Sequence, residues 1–203
     1  MPRGPAMAPD ERRTQILLAS RSVFGQRGYQ STSVAHIVAA AGVARGTFYN
    51  YFPSKRAVFK AVLDEIMKEV EGAVHGMNPT RDITSQVREN LERLILALSA
   101  QDDLPRLLFG EAIGIDAEGD EALRGFYATA LKRIEHALRL GQRFGVVHEG
   151  DPVLWSRCLL GMLKEPAFQA SLHNEALDAH ALVDALFAFL ARGLLTDGSK
   201  KDV

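Results

Sequence analysis

The sequence predicts an all-α protein, with an N-terminal three-helix unit containing a helix-turn-helix and a larger C-terminal helical body. Three observations support this. Apolar residues recur at helical spacing through most of the chain. The stretch 33–52, SVAHIVAAAGVARGTFYNYF, reads as two short helices joined by a glycine turn, the second carrying small, polar and aromatic residues in place of a full apolar stripe. Charge is divided as well: residues 1–60 hold nine basic groups against two acidic ones, +7, whereas the remainder holds 15 against 23, −8. A basic end and an acidic body suit a protein that presents one part to a polyanion.

Composition narrows the function classes. At 203 residues and 47% apolar, the chain can bury a substantial core. A single cysteine, Cys158, excludes an intramolecular disulfide framework and fits a reducing, cytoplasmic compartment. No apolar run follows MPRGPAMAP, so no secretory leader is expected. The richest apolar stretch, 179–195, is interrupted by His180, Asp184 and Arg192, so no membrane span is expected. The six histidines show no HExxH spacing, and no P-loop, GxSxG or dinucleotide fingerprint is present. The expectation is a protein that is not an enzyme and holds no cofactor or metal.

Residues 1–9, with Pro2, Pro5 and Pro9, read as a disordered arm. Asp10 is a plausible N-cap for a first helix that buries Ile16, Leu17, Val23 and Phe24 and stops at Gly28. Thr32 or Ser33 caps a second helix whose inward positions are Val34, Ile37, Val38 and Ala41, and either hydroxyl beside that free helix N-terminus could meet a phosphate. Gly42 can take the left-handed conformation that ends this helix. A third helix, 44–51, turns Phe48 and Phe52 inward. That leaves Arg45, Gly46, Thr47, Tyr49, Asn50 and Tyr51 outside, where Arg can fork onto guanine, Asn onto adenine, and Tyr hydroxyls can reach phosphates. Gly46 weakens the helix by about 1 kcal/mol relative to Ala, which fits close approach of its backbone to sugar-phosphate. Ser54 caps a fourth helix, 54–72, whose first turn carries Lys55 and Arg56 against the helix dipole, a placement better explained by phosphate than by helix stability.

The run TSVAHIVAAAGVARGTFYNYFPSKRAVF resembles the DNA-binding domain of the TetR (tetracycline repressor) family of bacterial transcription regulators. It shares the Gly-Tyr after the first helix, the AAGV turn, GTFY, a YF pair and SK. The resemblance spans about 10–70, with the helix-turn-helix at 33–52, and implies that the third helix enters the major groove with Arg45, Gly46, Thr47, Tyr49, Asn50, Tyr51 and Lys55 facing double-stranded DNA. Ala44 stands where the family often has a capping serine, a loss of about 1 kcal/mol in typical hosts. For residues 71–203 the resemblance implies a helical effector-binding and dimerisation domain, hence a ligand-released repressor acting on a near-palindromic operator. An architectural or division-control DNA-binding protein on the same fold, without a small ligand, is the alternative.

Periodicity in the body agrees. Helices are expected over 82–100, from Pro105 onward, over about 121–144 after an acidic exposed loop at 116–119, from Pro152 with a kink or end at Pro166, and over 177–195. The last stretch is apolar on nearly every face, so it should be covered on one side by its own chain and on the other by a second subunit, giving a homodimer through the last two helices. Candidate effector-pocket residues are Met67, Phe109, Glu111, Phe126, Tyr127, Trp155, Cys158 and Met162, aromatic or soft groups for a small hydrophobic or aromatic ligand, with Glu111 suited to a cationic group.

Overall fold

The computed structural model describes residues 8–78, 80–99, 107–108, 117–173 and 175–196. Eight helices are named within them: α1 (Pro9–Arg27), α2 (Val34–Ala41), α3 (Arg45–Tyr51), α4 (Lys55–Ala73), α5 (Ile83–Ser99), α6 (Ala117–Arg143), α7 (Pro152–His173) and α8 (Ala179–Gly193). Among the described residues the β-structure is an isolated antiparallel bridge, Val147 with Leu195. No helix among them is long and apolar enough to cross a membrane. The expected N-terminal arm and most of the helix expected from Pro105 lie outside the described residues, although Leu107 and Leu108 are buried.

The first three helices form where the sequence placed them, with one shift. Ala8, not Asp10, is the N-cap of α1, and Pro9 opens the helix. Proline suits that position because its missing N–H would have no intrahelical acceptor there and its φ is already helical. Asp10 and Glu11 therefore lie in the first turn, facing the positive end of the dipole. Gly42 ends α2 at φ 64°, the left-handed conformation in which a Cβ is strained.

One continuous core joins this unit to the body. The Phe59 ring of α4 lies 5.0 Å from that of Phe24 and 4.6 Å from that of Tyr29, centroid to centroid. The same cluster takes in Ile37, Phe48, Leu63, Ile66, Leu123 and Ala167. The domain boundary expected at residue 70 therefore falls inside α4, a helix packed on α1 along one side and on α5 and α6 along others. Ion pairs reinforce both sides. Arg21 of α1 grips the Glu69 carboxylate with two bonds of 2.7 and 3.0 Å, while Arg56 pairs with Glu121 and Glu71 with Arg133, at opposite ends of α4. These last two pairs run in the same chain order, so α4 and α6 lie parallel.

Two features of the body have identifiable causes. Of the kink or end expected at Pro166, the end is not taken: helix α7 continues to His173. Proline removes one N–H bond and its ring crowds the preceding turn, at about 3 kcal/mol, but the following turns bury Ala167 in the main core and pack Phe168 against it. Helix α6 begins earlier than expected and takes in part of the segment read as a loop. At the far end, α8 buries Leu182, Val183 and Leu186 with Ile95 of α5. The bridge at Val147 and Leu195, with the Thr196 hydroxyl donating to the Gly145 carbonyl at 2.6 Å, ties the α6–α7 turn to the chain after α8.

The α4–α5 connection is held by two amide side chains one turn apart on α5. Asn90 accepts the His75 N–H at 2.9 Å and donates to the His75 carbonyl at 2.8 Å. Gln86 does the same for Asn78, at 2.7 and 2.9 Å. Each amide thus satisfies both backbone groups of one residue in the connection. Asn90→Ala is expected to lower stability by about 1–2 kcal/mol, read as a lower urea midpoint at unchanged slope.

Candidate nucleic-acid interface

The local sequence positions the reading surface through α2, its turn and α3. Ser33 is the N-cap of α2: its hydroxyl accepts the His36 N–H at 3.3 Å, and His36 Nδ1 accepts the Ser33 N–H at 3.3 Å. With Nδ1 accepting, the ring proton is on Nε2, so the exposed imidazole offers a donor beside the helix N-terminus. Sequence reasoning missed His36 as a surface group; the S-x-x-H spacing, in the place of S-x-x-E, was the available signal. Gln15 of α1 donates to the Ala41 carbonyl at 2.8 Å and secures the other end of α2.

Helix α3 is anchored by one ring and left open elsewhere. Phe48 is fully buried, with Phe52 centred 5.9 Å away. Arg45, Gly46, Tyr49 and Asn50 are exposed and Thr47 is half-buried. Arg45 lies over the Tyr49 ring at 5.8 Å, which extends both side chains along one face. Ala44 contributes no side-chain cap, as its methyl group dictates. A Cβ on Gly46 would meet no atom within 4 Å, and its φ is not in the left-handed region, so no packing inside the chain requires glycine there.

Three of the expected contact residues have internal roles. Thr32 is a correction: it is buried, its hydroxyl donates to the Gly28 carbonyl at 2.6 Å, and it ties α1 to the start of α2 instead of facing outward. Tyr51 is half-buried and packs its ring against the main core. Lys55 donates to the Tyr29 carbonyl at 3.0 Å and sits 4.1 Å over the Tyr29 ring. Its place in the first turn of α4 therefore has a structural cause, although an ammonium keeps further N–H donors for another acceptor. Arg56, its neighbour, is engaged by Glu121.

The residues expected to line an effector pocket separate into different places. Met67 and Phe126 share a cavity of about 630 Å³ between α4 and α6. Tyr127 is packed against the core and donates to the Leu108 carbonyl, and burial pushes its phenol above the ordinary range. Trp155 belongs to the cluster around Leu138, Val147 and Leu195, and Met162 to the one around Ile95. Cys158 is exposed on α7. These residues do not form one pocket, because helical period alone does not say which helix faces which. Phe109 and Glu111 lie outside the described residues. The polar wall of the cavity, Arg56, Lys60, Asp64, Glu121, Arg124 and Thr129, was not foreseen.

Comparison with known proteins bears on the same surface. Residues 16–62, from the core of α1 into α4, match the family described as bacterial regulatory proteins, tetR family. The uncharacterized HTH-type transcriptional regulator YvdT of Bacillus subtilis is 36% identical over 189 residues, covering 90% of this chain and 94% of that protein. In fold, the chain is similar to the fatty acid degradation regulator FadR from Bacillus halodurans, with a TM-score of 0.79 at 24% identity over 95% and 98% of the two chains. It is also similar to FadR from Bacillus subtilis in complex with stearoyl-CoA, with a TM-score of 0.77 at 21% identity over 89% and 98%. With the helix-turn-helix matched, the fold shared along its length and a relative aligned nearly end to end, this chain belongs to the TetR family of DNA-binding transcriptional regulators.

Proposed function

We propose that the protein is a homodimeric repressor that binds a near-palindromic operator through α3 and is released by a small effector held in its helical body. Residues 10–70 act as the reading unit and 71–203 as the effector and dimerisation unit. The observation that carries the reading is the outer face of α3, where Arg45, Asn50 and Gly46 are exposed and space beside the glycine is open. Arg45, Thr47 and Asn50 read bases, with Tyr51 at their edge. Ser33, Tyr49 and the spare donors of Lys55 hold phosphates, joined by His36.

Two copies are needed because one seven-residue helix reads too few bases for specificity. Leu154, Cys158 and Leu172 of α7 and Ala181, Ala185 and Phe189 of α8 are exposed, Phe189 by 67%. Apolar side chains left uncovered on these two helices favour a second copy as their cover. Two-fold pairing would set the reading helices about 34–36 Å apart, one turn of duplex. Sedimentation at micromolar concentration is the test of assembly: a dimer of the 22.2 kDa chain is expected, and a stably folded monomer would contradict it.

The effector reading rests on the α4–α6 cavity, whose volume lies within the usual range for small-molecule sites. Its apolar lining, Leu63, Met67, Ala122 and Phe126, suits a hydrophobic ligand, and the structural likeness to a regulator in complex with stearoyl-CoA makes acyl chains the first compounds to try. Fluorescence anisotropy with an operator selected from random duplexes tests the whole reading. Binding to an inverted repeat and not to a single half-site is expected, weakening steeply with salt.

Gly46→Ala separates reading from folding. Added helix propensity should stabilise the free protein by up to about 1 kcal/mol, because the Cβ meets nothing within the chain. Operator affinity should fall by about tenfold, as a methyl group there costs close approach of the DNA backbone, worth about 1.4 kcal/mol. Thermal melting and anisotropy on the same sample would show the opposite signs.

A further inference from the structure

Around α3, three cations rest on aromatic rings and not on carboxylates. Arg13 of α1 lies over Phe52 at 5.2 Å from the ring centre, Arg45 over Tyr49 at 5.8 Å and Lys55 over Tyr29 at 4.1 Å. Among the described residues none of the three makes an ion pair, whereas Arg21 and Arg56 are held by Glu69 and Glu121. A carboxylate fixes a cation and cancels its charge; a ring fixes it and leaves the charge in place.

Arg45 and Lys55 already have places in the operator reading. Arg13 has none, although its support is of the same kind. It is exposed near the start of α1, and Phe52 beneath it is the residue that ends α3. Its neighbour Arg12 is engaged: half-buried, it donates to Gln15 at 2.8 Å, whose amide in turn holds the Ala41 carbonyl. Asp10 and Glu11 lie within a turn of Arg13 without pairing with it, and residues 1–7 contain no Asp or Glu. Stacking occupies the face of a guanidinium and leaves its N–H edges to reach an acceptor.

We infer that Arg13 is a further operator-binding residue: with its charge preserved over Phe52, it grips a backbone phosphate of the duplex beside the end of α3, one per subunit. This rests on the operator reading above and adds a contact that neither α3 nor the start of α4 supplies. A cation at this end of α3 also complements the helix dipole, which is a folding role, and salt dependence separates the two.

The test is fluorescence anisotropy of the full-length chain on its selected operator across a salt series, with thermal melting of the same samples. Loss of one phosphate contact per subunit should make the slope of log affinity against log salt shallower by about 2 for a dimer. Arg13→Gln should weaken binding about three- to thirtyfold at low salt, with base preference and melting temperature unchanged. Arg13→Lys, which keeps the charge, should keep the slope. Arg12→Gln makes the same change of net charge one residue away, on a side chain already engaged, and should also keep the wild-type slope. Ethylation of operator phosphates should locate the contact: one position per half-site that blocks the wild type and is silent with Arg13→Gln. A wild-type slope for Arg13→Gln overturns the inference, and a lowered melting temperature beside it would mark a purely structural cap on α3. An equal loss of slope in Arg12→Gln overturns it too, as the sign of long-range attraction alone. So does a changed base preference in Arg13→Gln, which would make the residue a reader of bases. If the wild type binds no operator, the reading beneath falls and this contact with it.

Discussion

Phe59→Ala is expected to lower the unfolding free energy by about 3–5 kcal/mol and to abolish operator binding near physiological temperature. Phe59 is 1% exposed and its ring touches Phe24 of α1 and Tyr29 of the following turn. It is therefore one of the side chains through which α4 grips the reading unit, beside Lys55 on Tyr29 and Glu69 with Arg21. Truncation would leave a cavity lined by the rings of Phe24 in α1 and Tyr29 in the turn after it, held in place by the packing of α1 on α2 and α4, so collapse around it is limited. Against a total of about 5–15 kcal/mol for a domain, such a loss leaves little margin. Urea unfolding followed by tryptophan fluorescence and by circular dichroism would check it. Phe59→Leu, which keeps much of the volume, should retain operator binding at a reduced midpoint. A midpoint for Phe59→Ala within experimental error of the wild type would show that the ring cluster does not secure α4.

The second large effect concerns reading. Arg45→Ala and Asn50→Ala are each expected to cost about 1–3 kcal/mol of operator affinity, roughly five- to 150-fold, with the preference relaxed at the contacted base pair and the melting temperature unchanged. Both side chains are exposed, so their removal takes no packing from the core. Tyr49→Ala should weaken all sequences alike. Lys55→Ala should do so too, but with a loss of stability, because it also releases the Tyr29 carbonyl and the ring beneath its ammonium. Binding titrations against a library of half-site variants distinguish the two groups: unaltered base preference in both Arg45→Ala and Asn50→Ala would remove them as readers.

Much of this was legible in the residue order. The spacing of Ile16, Phe24, Ile37 and Phe48 marked the buried faces, and Gly42 and Ser54 marked helix ends through local rules of φ and capping. The outer face of α3 was legible for the same reason: in a seven-residue helix with one buried ring, the remaining positions can only lie outside or at the edge. Where a second, distant partner decides a residue's role, local rules failed. Thr32 has a hydroxyl suited to a phosphate, but the Gly28 carbonyl reaches it first. Lys55 opposes its own helix dipole, and the compensation comes from Tyr29, 26 residues earlier.

The body shows the same division on a larger scale. Its helices follow from apolar period, but Met67, Trp155, Cys158 and Met162 were grouped by chemical type and proved to belong to separate places. The amide clamps of Gln86 and Asn90 and the pair of Arg56 with Glu121 left no trace in any window of sequence. By itself, then, the sequence determined most of the helices, the caps at Ser33 and Ser54, the family and the outward face of α3, because these depend on residues within a turn or two of each other. Tertiary structure alone decided which helices enclose the cavity, which charges close it and which expected contacts are already occupied, because a polar or charged group takes the partner that packing brings within 3 Å, however far away it lies in the chain.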